Sequence, residues 1–232
     1  MKHLLLLHGA IGSKDQLLPL ADLLKNDFSV HLFNFSGHGS KPFAQEPFSI
    51  EAFANEVGEY LSTHKIQQAS VFGYSMGGYV ALYLAKQQPQ LLSEIVTLAT
   101  KFQWDETVAA KEAGMLNTEI ILEKVPVFAE QLQQRHAPND WKLVLEQTKA
   151  MLLQMGKENP LQLNDYTTIE QPVLLLLGDN DKMVTREETE AVQKAIPNSH
   201  FQLLEQTAHP IEKVNIAVLA GIIRKFCKTN ER

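Results

Sequence analysis

Residues 69–78, Ala-Ser-Val-Phe-Gly-Tyr-Ser-Met-Gly-Gly, carry an apolar strand pattern into a helical one that extends from Tyr79 to Gln87 and is closed by Pro89. At the junction lies Gly73-x-Ser75-x-Gly77. A serine at so sharp a strand-to-helix turn must adopt a strained backbone to lift its hydroxyl out of the sheet, and small residues two positions to either side avoid a collision. Gly73 and Gly77 meet that demand, and Gly78 lets the helix lie close to the sheet. The helix start then points free N–H groups and a positive dipole end at the place where an oxyanion would form. The stretch predicts an activated serine, for which the rest of the chain must supply a base.

Working outward, His3 to Leu7 is a short continuous apolar run ended by His8-Gly9-Ala10-Ile11-Gly12-Ser13, as suits a strand buried on both faces of a parallel sheet. Ser13 or Asp15 is placed to start a helix through Leu24. A second strand is expected at Ser29 to Phe33, followed by the loop Asn34-Phe35-Ser36-Gly37-His38-Gly39-Ser40. Ser49 opens a helix to about His64. Beyond the serine turn, strands are expected at Glu94 to Ala99, Pro172 to Leu177 and His200 to Leu204, with helices at Thr185 to Ala195 and Ile211 to Cys227. Strands alternating with helices predict an open parallel sheet covered on both faces, with functional groups at the carboxyl ends of the strands. His8, Ser75, Asp181 and His209 all fall just beyond a strand end.

One region breaks the alternation. From Phe102 to Asn164 the patterns are helical throughout, with Pro126, Pro138 and Pro160 as punctuation. So long an excursion between neighbouring strands reads as a helical lid over the strand ends. The expected division is a core of residues 1–101 and 165–232 and a cap of residues 102–164.

A serine hydroxyl needs a base beside it, and the base needs a third group to fix its tautomer. After the fifth strand comes Gly178-Asp179-Asn180-Asp181-Lys182-Met183-Val184, and after the sixth Glu205-Gln206-Thr207-Ala208-His209-Pro210. The order Ser75, Asp181, His209 is the hydrolase order of serine, acid and histidine. Asp179 and, more distantly, Asp105 are the other acids within reach of the pattern. His8 and His38 suit a structural role, hydrogen-bonding the loops beside the site. Met151 and Met155, one helical turn apart, read as core filler.

These motifs together resemble the α/β-hydrolase superfamily of esterases, lipases and C–C hydrolases. The resemblance runs from residue 3 to about residue 226, the cap excluded. It rests on His8-Gly9, Ser36-Gly37-His38-Gly39, the serine turn, Gly178-x-x-Asp181-x-x-Val184 and Ala208-His209. It implies a three-layer α/β/α fold with a mostly or wholly parallel six-stranded sheet, without the hairpin that most members place before the His-Gly strand. It favours Asp181 over Asp179, since the family's acid stands three residues after the glycine. It also implies an oxyanion hole from the backbone N–H groups of Met76 and Ala10, with Ile11 the lesser choice. The family usually has Asp where Asn34 stands and Pro where Ser36 stands. That Asp holds a loop, so its replacement bears on loop rigidity and not on the chemistry.

The expected activity is a serine hydrolase acting on a small, largely uncharged carboxylic ester or related acyl compound. C–C bond hydrolysis, a lyase reaction on the same triad, or a non-catalytic ligand-binding protein of this fold are the alternatives. Ile11, Phe102, Trp104, Met115, Phe128 and Met183 are candidates to line its pocket. No histidine spacing suits a metal, and the chemistry calls for no cofactor. In 232 residues, 44% apolar and 21% charged, a formal charge of −6 argues against a nucleic-acid surface. The apolar run at residues 4–7 is too short for a signal or a membrane span, and the single Cys227 fits a reducing compartment, so a cytoplasmic location is expected. Cys227 itself reads as a small buried thiol.

Overall fold

The computed structural model describes residues 1–229. Its strands are β1 (His3–Leu7), β2 (Ser29–Phe33), β3 (Ala69–Tyr74), β4 (Leu92–Leu98), β5 (Val173–Gly178) and β6 (Ser199–Leu204). They form one sheet in the order β2-β1-β3-β4-β5-β6, and every pair is parallel.

Side-chain alternation explains why the leucine-rich runs become strands. Leu5 and Leu7 of β1 enter the core on one face and Leu4 and Leu6 the core on the other. Val173 and Leu175 of β5 divide from Leu174 and Leu176 in the same way. Each fully buried leucine contributes about 1.5–3 kcal/mol, so runs of this kind have no stable place except between two layers. The edge strand β6 alternates half-buried and exposed residues instead.

The first layer consists of α1 (Leu18–Leu24) and α9 (Ile216–Thr229), which pack together. The second holds α2 (Ile50–Thr63), α3 (Met76–Gln87) and α8 (Arg186–Ala195). Ser49 starts α2 by accepting a hydrogen bond from Ala52 N at 3.0 Å, and Thr185 with Glu188 forms a reciprocal cap on α8. Between β4 and β5 the chain forms α4 (Glu106–Gly114), α5 (Thr118–Lys124), α6 (Pro126–His136) and α7 (Trp141–Lys157). At Gly156 of α7 an added Cβ would stand 2.4 Å from Ala109 Cβ of α4, so these helices touch where a side chain is missing.

Among the boundaries that differ from expectation, two arise from 3-10 turns. The helix expected from Ser13 or Asp15 begins as a 3-10 turn at Lys14–Leu17 and becomes α1 only at Leu18, with Pro19 in its first turn. The last helix starts at Ile216 and not at Ile211, because Ile211–Lys213 is a separate 3-10 turn and Asn215 supplies a new start, accepting from Val218 N at 3.2 Å.

The strand order reverses between β1 and β3: β2 lies beyond β1 on one side, and β3 to β6 follow on the other. In an open parallel sheet the crevice for ligands forms outside the carboxyl ends at such a point. The two turns at this crevice are those after His8 and at Ser75.

Candidate active site

Ser75 is the single residue between β3 and α3. Its φ of 51° and ψ of −116° are costly for a residue with a side chain, by about 1–3 kcal/mol. The surroundings hold it there: Ser75 N donates to Leu98 O at 2.8 Å, and Ser75 O accepts from Thr100 Oγ1 at 3.0 Å. The glycine requirements read from the sequence are steric facts of this turn. An added Cβ would lie 2.4 Å from Gly78 N at Gly73, 2.5 Å from Leu7 O at Gly77 and 2.1 Å from Thr100 Oγ1 at Gly78. Gly9, across the crevice, leaves room for the Tyr74 ring, which a Cβ would meet at 2.9 Å.

The acid and histidine loops meet at the ends of β5 and β6. Asp181 Oδ2 accepts from His209 Nδ1 at 2.8 Å, and Asp181 Oδ1 accepts from Met183 N at 2.7 Å and Val184 N at 2.9 Å. Burial pushes the Asp181 pKa up, but the bonds from His209 and the two N–H groups outweigh it and hold the carboxyl below its ordinary value. A carboxylate on Nδ1 leaves the lone pair of neutral His209 on Nε2. Tyr74 Oη donates to His209 O at 3.0 Å, which fixes the histidine backbone against the serine turn.

Asp179 does different work: its Oδ1 accepts from Thr207 N at 3.1 Å and ties the two loops together. They cross so closely at Gly178 that a Cβ would stand 2.1 Å from Thr207 O. Asp105 caps α4 through Val108 N at 2.8 Å.

Met76 is the first residue of α3, so its N–H has no intrahelical acceptor. Ala10 lies in the turn after β1, which is closed by Gly12 N donating to Gly9 O at 3.1 Å. Met76, Ala10, Ser75 and His209 line one cavity. Its volume is about 80 Å³, and an adjoining cleft of about 290 Å³ is lined by Ala10, Ser75 and His209 as well.

Of the apolar residues expected around it, Trp104 and Met183 line this cavity, and Ile11, Met115 and Phe128 line the adjoining cleft that also reaches Ser75 and His209. Phe102 does not. It is 4% exposed and lines a separate cleft, edge-on to Tyr166, with its backbone N–H donated to Glu188. Met151 and Met155, expected as core filler, are buried but form part of the cavity wall with Leu152, because α7 turns one apolar face to both core and cavity. The sequence reading also missed Lys101 and Glu112, two charged residues on the same wall.

His8 and His38 sit in the loops as expected. His8 Nδ1 pairs with Gly9 O at 2.8 Å while its Nε2 accepts from Phe35 N at 3.3 Å, and His38 Nδ1 pairs with Ser36 O at 2.9 Å. A third buried ring, His136 of α6, joins them: its Nδ1 accepts from Gly39 N at 3.1 Å and its Nε2 donates to Ile11 O at 3.0 Å. Arg135 Nη1 donates to the same carbonyl at 3.0 Å. Asn34 keeps a holding role without a charge, its Oδ1 accepting from Lys14 N at 2.7 Å. Among the described residues no three His, Cys, Asp or Glu side chains form a metal site, and no helix is long and apolar enough to cross a membrane.

The fold and the sequence place this chain in a known class: it belongs to the α/β-hydrolase-fold family, whose model matches residues 2–140. One relative is the pimeloyl-[acyl-carrier protein] methyl ester esterase of Neisseria meningitidis serogroup A, 28% identical over 97% of this chain and 77% of that one. Among solved structures, a thermophilic esterase from Thermogutta terrifontis superposes with a TM-score of 0.79 at 20% identity, covering 99% of this chain and 90% of its own. The enol-lactonase from Burkholderia xenovorans superposes with a TM-score of 0.77 at 18% identity, over 98% and 91%. At these identities the two structures speak for the fold. The chain is thus a member of a hydrolase family with esterases among its relatives.

Proposed function

We propose that the protein is a serine hydrolase of small, largely uncharged carboxylic esters, with Ser75 as nucleophile, His209 as base and Asp181 as the group that orients it. The observation that carries this reading is the 2.8 Å bond from Asp181 to His209, a residue that lines the same cavity as the strained Ser75. Residues 1–101 and 165–232 act as the catalytic core, and residues 102–164 as the cap that selects the substrate.

In this mechanism His209 Nε2 takes the Ser75 proton as Oγ attacks the ester carbonyl. The oxygen of the tetrahedral intermediate, now negative, lies against the N–H groups of Met76 and Ala10. Each such donor is worth about 2.7–4 kcal/mol in the transition state. His209 then passes its proton to the departing alcohol and leaves an acyl-enzyme. Water loses a proton to the same nitrogen, attacks the acyl carbon and releases the acid, and the proton returns to Ser75. The reaction calls on no metal or cofactor.

The test is hydrolysis of p-nitrophenyl acetate and butyrate by the wild type and Ser75→Ala, together with mass detection of a fluorophosphonate adduct. The relative from Neisseria makes simple methyl esters the next substrates to screen. Turnover and adduct, both lost in Ser75→Ala, are expected. An adduct without ester turnover moves the search to C–C or lyase substrates. Folded protein that shows neither overturns the triad and favours a binding protein.

A further inference from the structure

One charged pair interrupts the largely apolar wall of the cavity that contains Ser75. Lys101, two residues beyond Ala99 at the exit of β4, and Glu112 of α4 both line the cavity that contains Ser75. Their side chains are 15% and 6% exposed, and Lys101 Nζ stands 3.5 Å from Glu112 Oε1. That separation exceeds the roughly 2.7–2.9 Å of a charge-assisted hydrogen bond. The Glu112 carboxylate accepts no hydrogen bond among the described residues, whereas it has on the order of four lone-pair sites to fill.

The other carboxylate near the ammonium is already occupied. Glu188, 4.0 Å from Lys101 Nζ, accepts from Phe102 N, Gln103 N and Thr185 N at 3.0, 2.9 and 2.7 Å. Lys101 itself donates to Met183 O, which leaves further N–H groups for the cavity. A buried carboxylate short of donors thus stands beside an ammonium with donors to spare, on the wall of a substrate-sized space.

We propose that Lys101 and Glu112 form the polar recognition site of this cavity and that the substrate it takes carries a neutral group able both to donate and to accept: a hydroxyl or an amide. Such a group accepts from Lys101 Nζ, donates to Glu112 and completes both. A carboxylate in its place meets Glu112 with like charge, and an ammonium meets Lys101. Like charges brought together on binding cost enough to reject a ligand, so the pair discriminates against either sign. This rests on the reading of Ser75 as nucleophile, which puts the substrate in this cavity, and it deepens that reading from uncharged esters to hydroxyl- or amide-bearing ones.

The experiment separates the two. Methyl pentanoate, methyl 5-hydroxypentanoate, monomethyl glutarate and methyl 5-aminopentanoate are titrated calorimetrically into Ser75→Ala. Butyrate esters with the same four end groups on the alcohol side form a second set. In one set the hydroxyl ester should bind about tenfold tighter than either charged ester. Adding Glu112→Gln should raise the relative affinity of the anionic ester by about tenfold, and adding Lys101→Met should do the same for the cationic one. Glu112→Gln keeps the side-chain shape and the Lys101–Met183 bond, so it decides the matter even if Lys101→Met fails to fold. Equal ranking of the four end groups with and without the substitutions overturns the proposal, as does failure of every ester to bind. Wild-type turnover of the same esters reports separately. Hydrolysis with a ranking blind to charge refutes the pair alone, and charge-sensitive binding without hydrolysis refutes the esterase reading while keeping the recognition site.

Discussion

Lowering the pH from 7 to 5 should cost this protein about 4 kcal/mol of stability through His8 and His136, and more through His38, none of which takes part in the proposed chemistry. His8, His38 and His136 are all 0% exposed. Burial is the largest influence on each. It lowers the His8 pKa from 6.5 to about 3 and that of His136 to about 4, and it brings His38 well below the ordinary value. Protonation would also destroy hydrogen bonds. His136 Nδ1 is the acceptor for Gly39 N and His8 Nε2 that for Phe35 N, so an added proton sets N–H against N–H. Because these values are depressed in the folded state, the unfolded chain binds more protons, and stability falls as pH drops below about 6.5. At about 1.36 kcal/mol per pH unit, His8 and His136 cost about 2 kcal/mol each by pH 5 and give a slope there of about 2.6 kcal/mol per unit, to which His38 adds in the same direction. The depressed carboxyls of Asp27, Asp165 and Asp181 add their loss only below about 4, outside this window. Urea unfolding at pH 7, 6 and 5, followed by tryptophan fluorescence, measures the slope. His136→Gln should reduce it by about one proton. A wild-type slope at pH 5 no steeper than one proton, about 1.4 kcal/mol per unit, would refute the reasoning.

Three further outcomes are expected. Gly77→Ala puts a Cβ 2.5 Å from Leu7 O and 2.7 Å from His8 O, backbone at the carboxyl end of β1. It should destabilise by about 3 kcal/mol in urea melts and lower p-nitrophenyl butyrate turnover by pushing the serine turn away from Ala10. Asp181→Asn should leave the melt near that of the wild type yet reduce kcat by about 10⁴, because the amide no longer fixes the tautomer of His209; an active variant would displace Asp181 from its role. The Cys227 thiol is 0% exposed and burial pushes its pKa up to about 12, so it should react with Ellman's reagent only as fast as the protein opens; rapid labelling of the native protein would contradict its place in the core.

What could be read from the sequence was what local sterics and burial determine. The runs Leu4–Leu7 and Val173–Leu177 have no polar face and could only be strands covered on both sides, and all six strands lie where those patterns put them to within two residues. The serine turn was equally legible, since the need for Gly73, Gly77 and Gly78 arises within a few residues of Ser75. Asp181 and Asp179 were harder to separate. They share one loop, and what distinguishes them is that one carboxylate turns to His209 and the other to Thr207 N. The cavity wall was least legible. Phe102 and Met151 are equally apolar, and helical period does not say whether an inward face meets the core or a cavity. The approach of Lys101 to Glu112 brings α4 to the segment that follows β4, a tertiary fact that no spacing encodes.

The same distinction explains why the helical segment and the strand-end turns cannot be treated as separate parts. Ile11 is a β-branched residue at φ 51°, a conformation its side chain disfavours, so the turn that presents Ala10 needs external support. The support comes from 124 and 125 residues away: Arg135 and His136 both donate to the Ile11 carbonyl. His136 also accepts from Gly39 N, and Asn139 Nδ2 reaches the carbonyls of Gly37, Gly39 and Lys41. Arg135 further faces Glu212 at 3.7 Å, and Glu212 in turn accepts from Gln16 at 2.5 Å. The end of α6 thereby fastens the turns after β1 and β2 and the loop that carries His209. Exchange of α4 would alter the cavity wall and leave these bonds in place, whereas exchange of the α6 end would loosen the turn on which the proposed Ala10 donor depends. A redesign of substrate preference therefore belongs on α4 and α7, with Arg135, His136 and Asn139 retained.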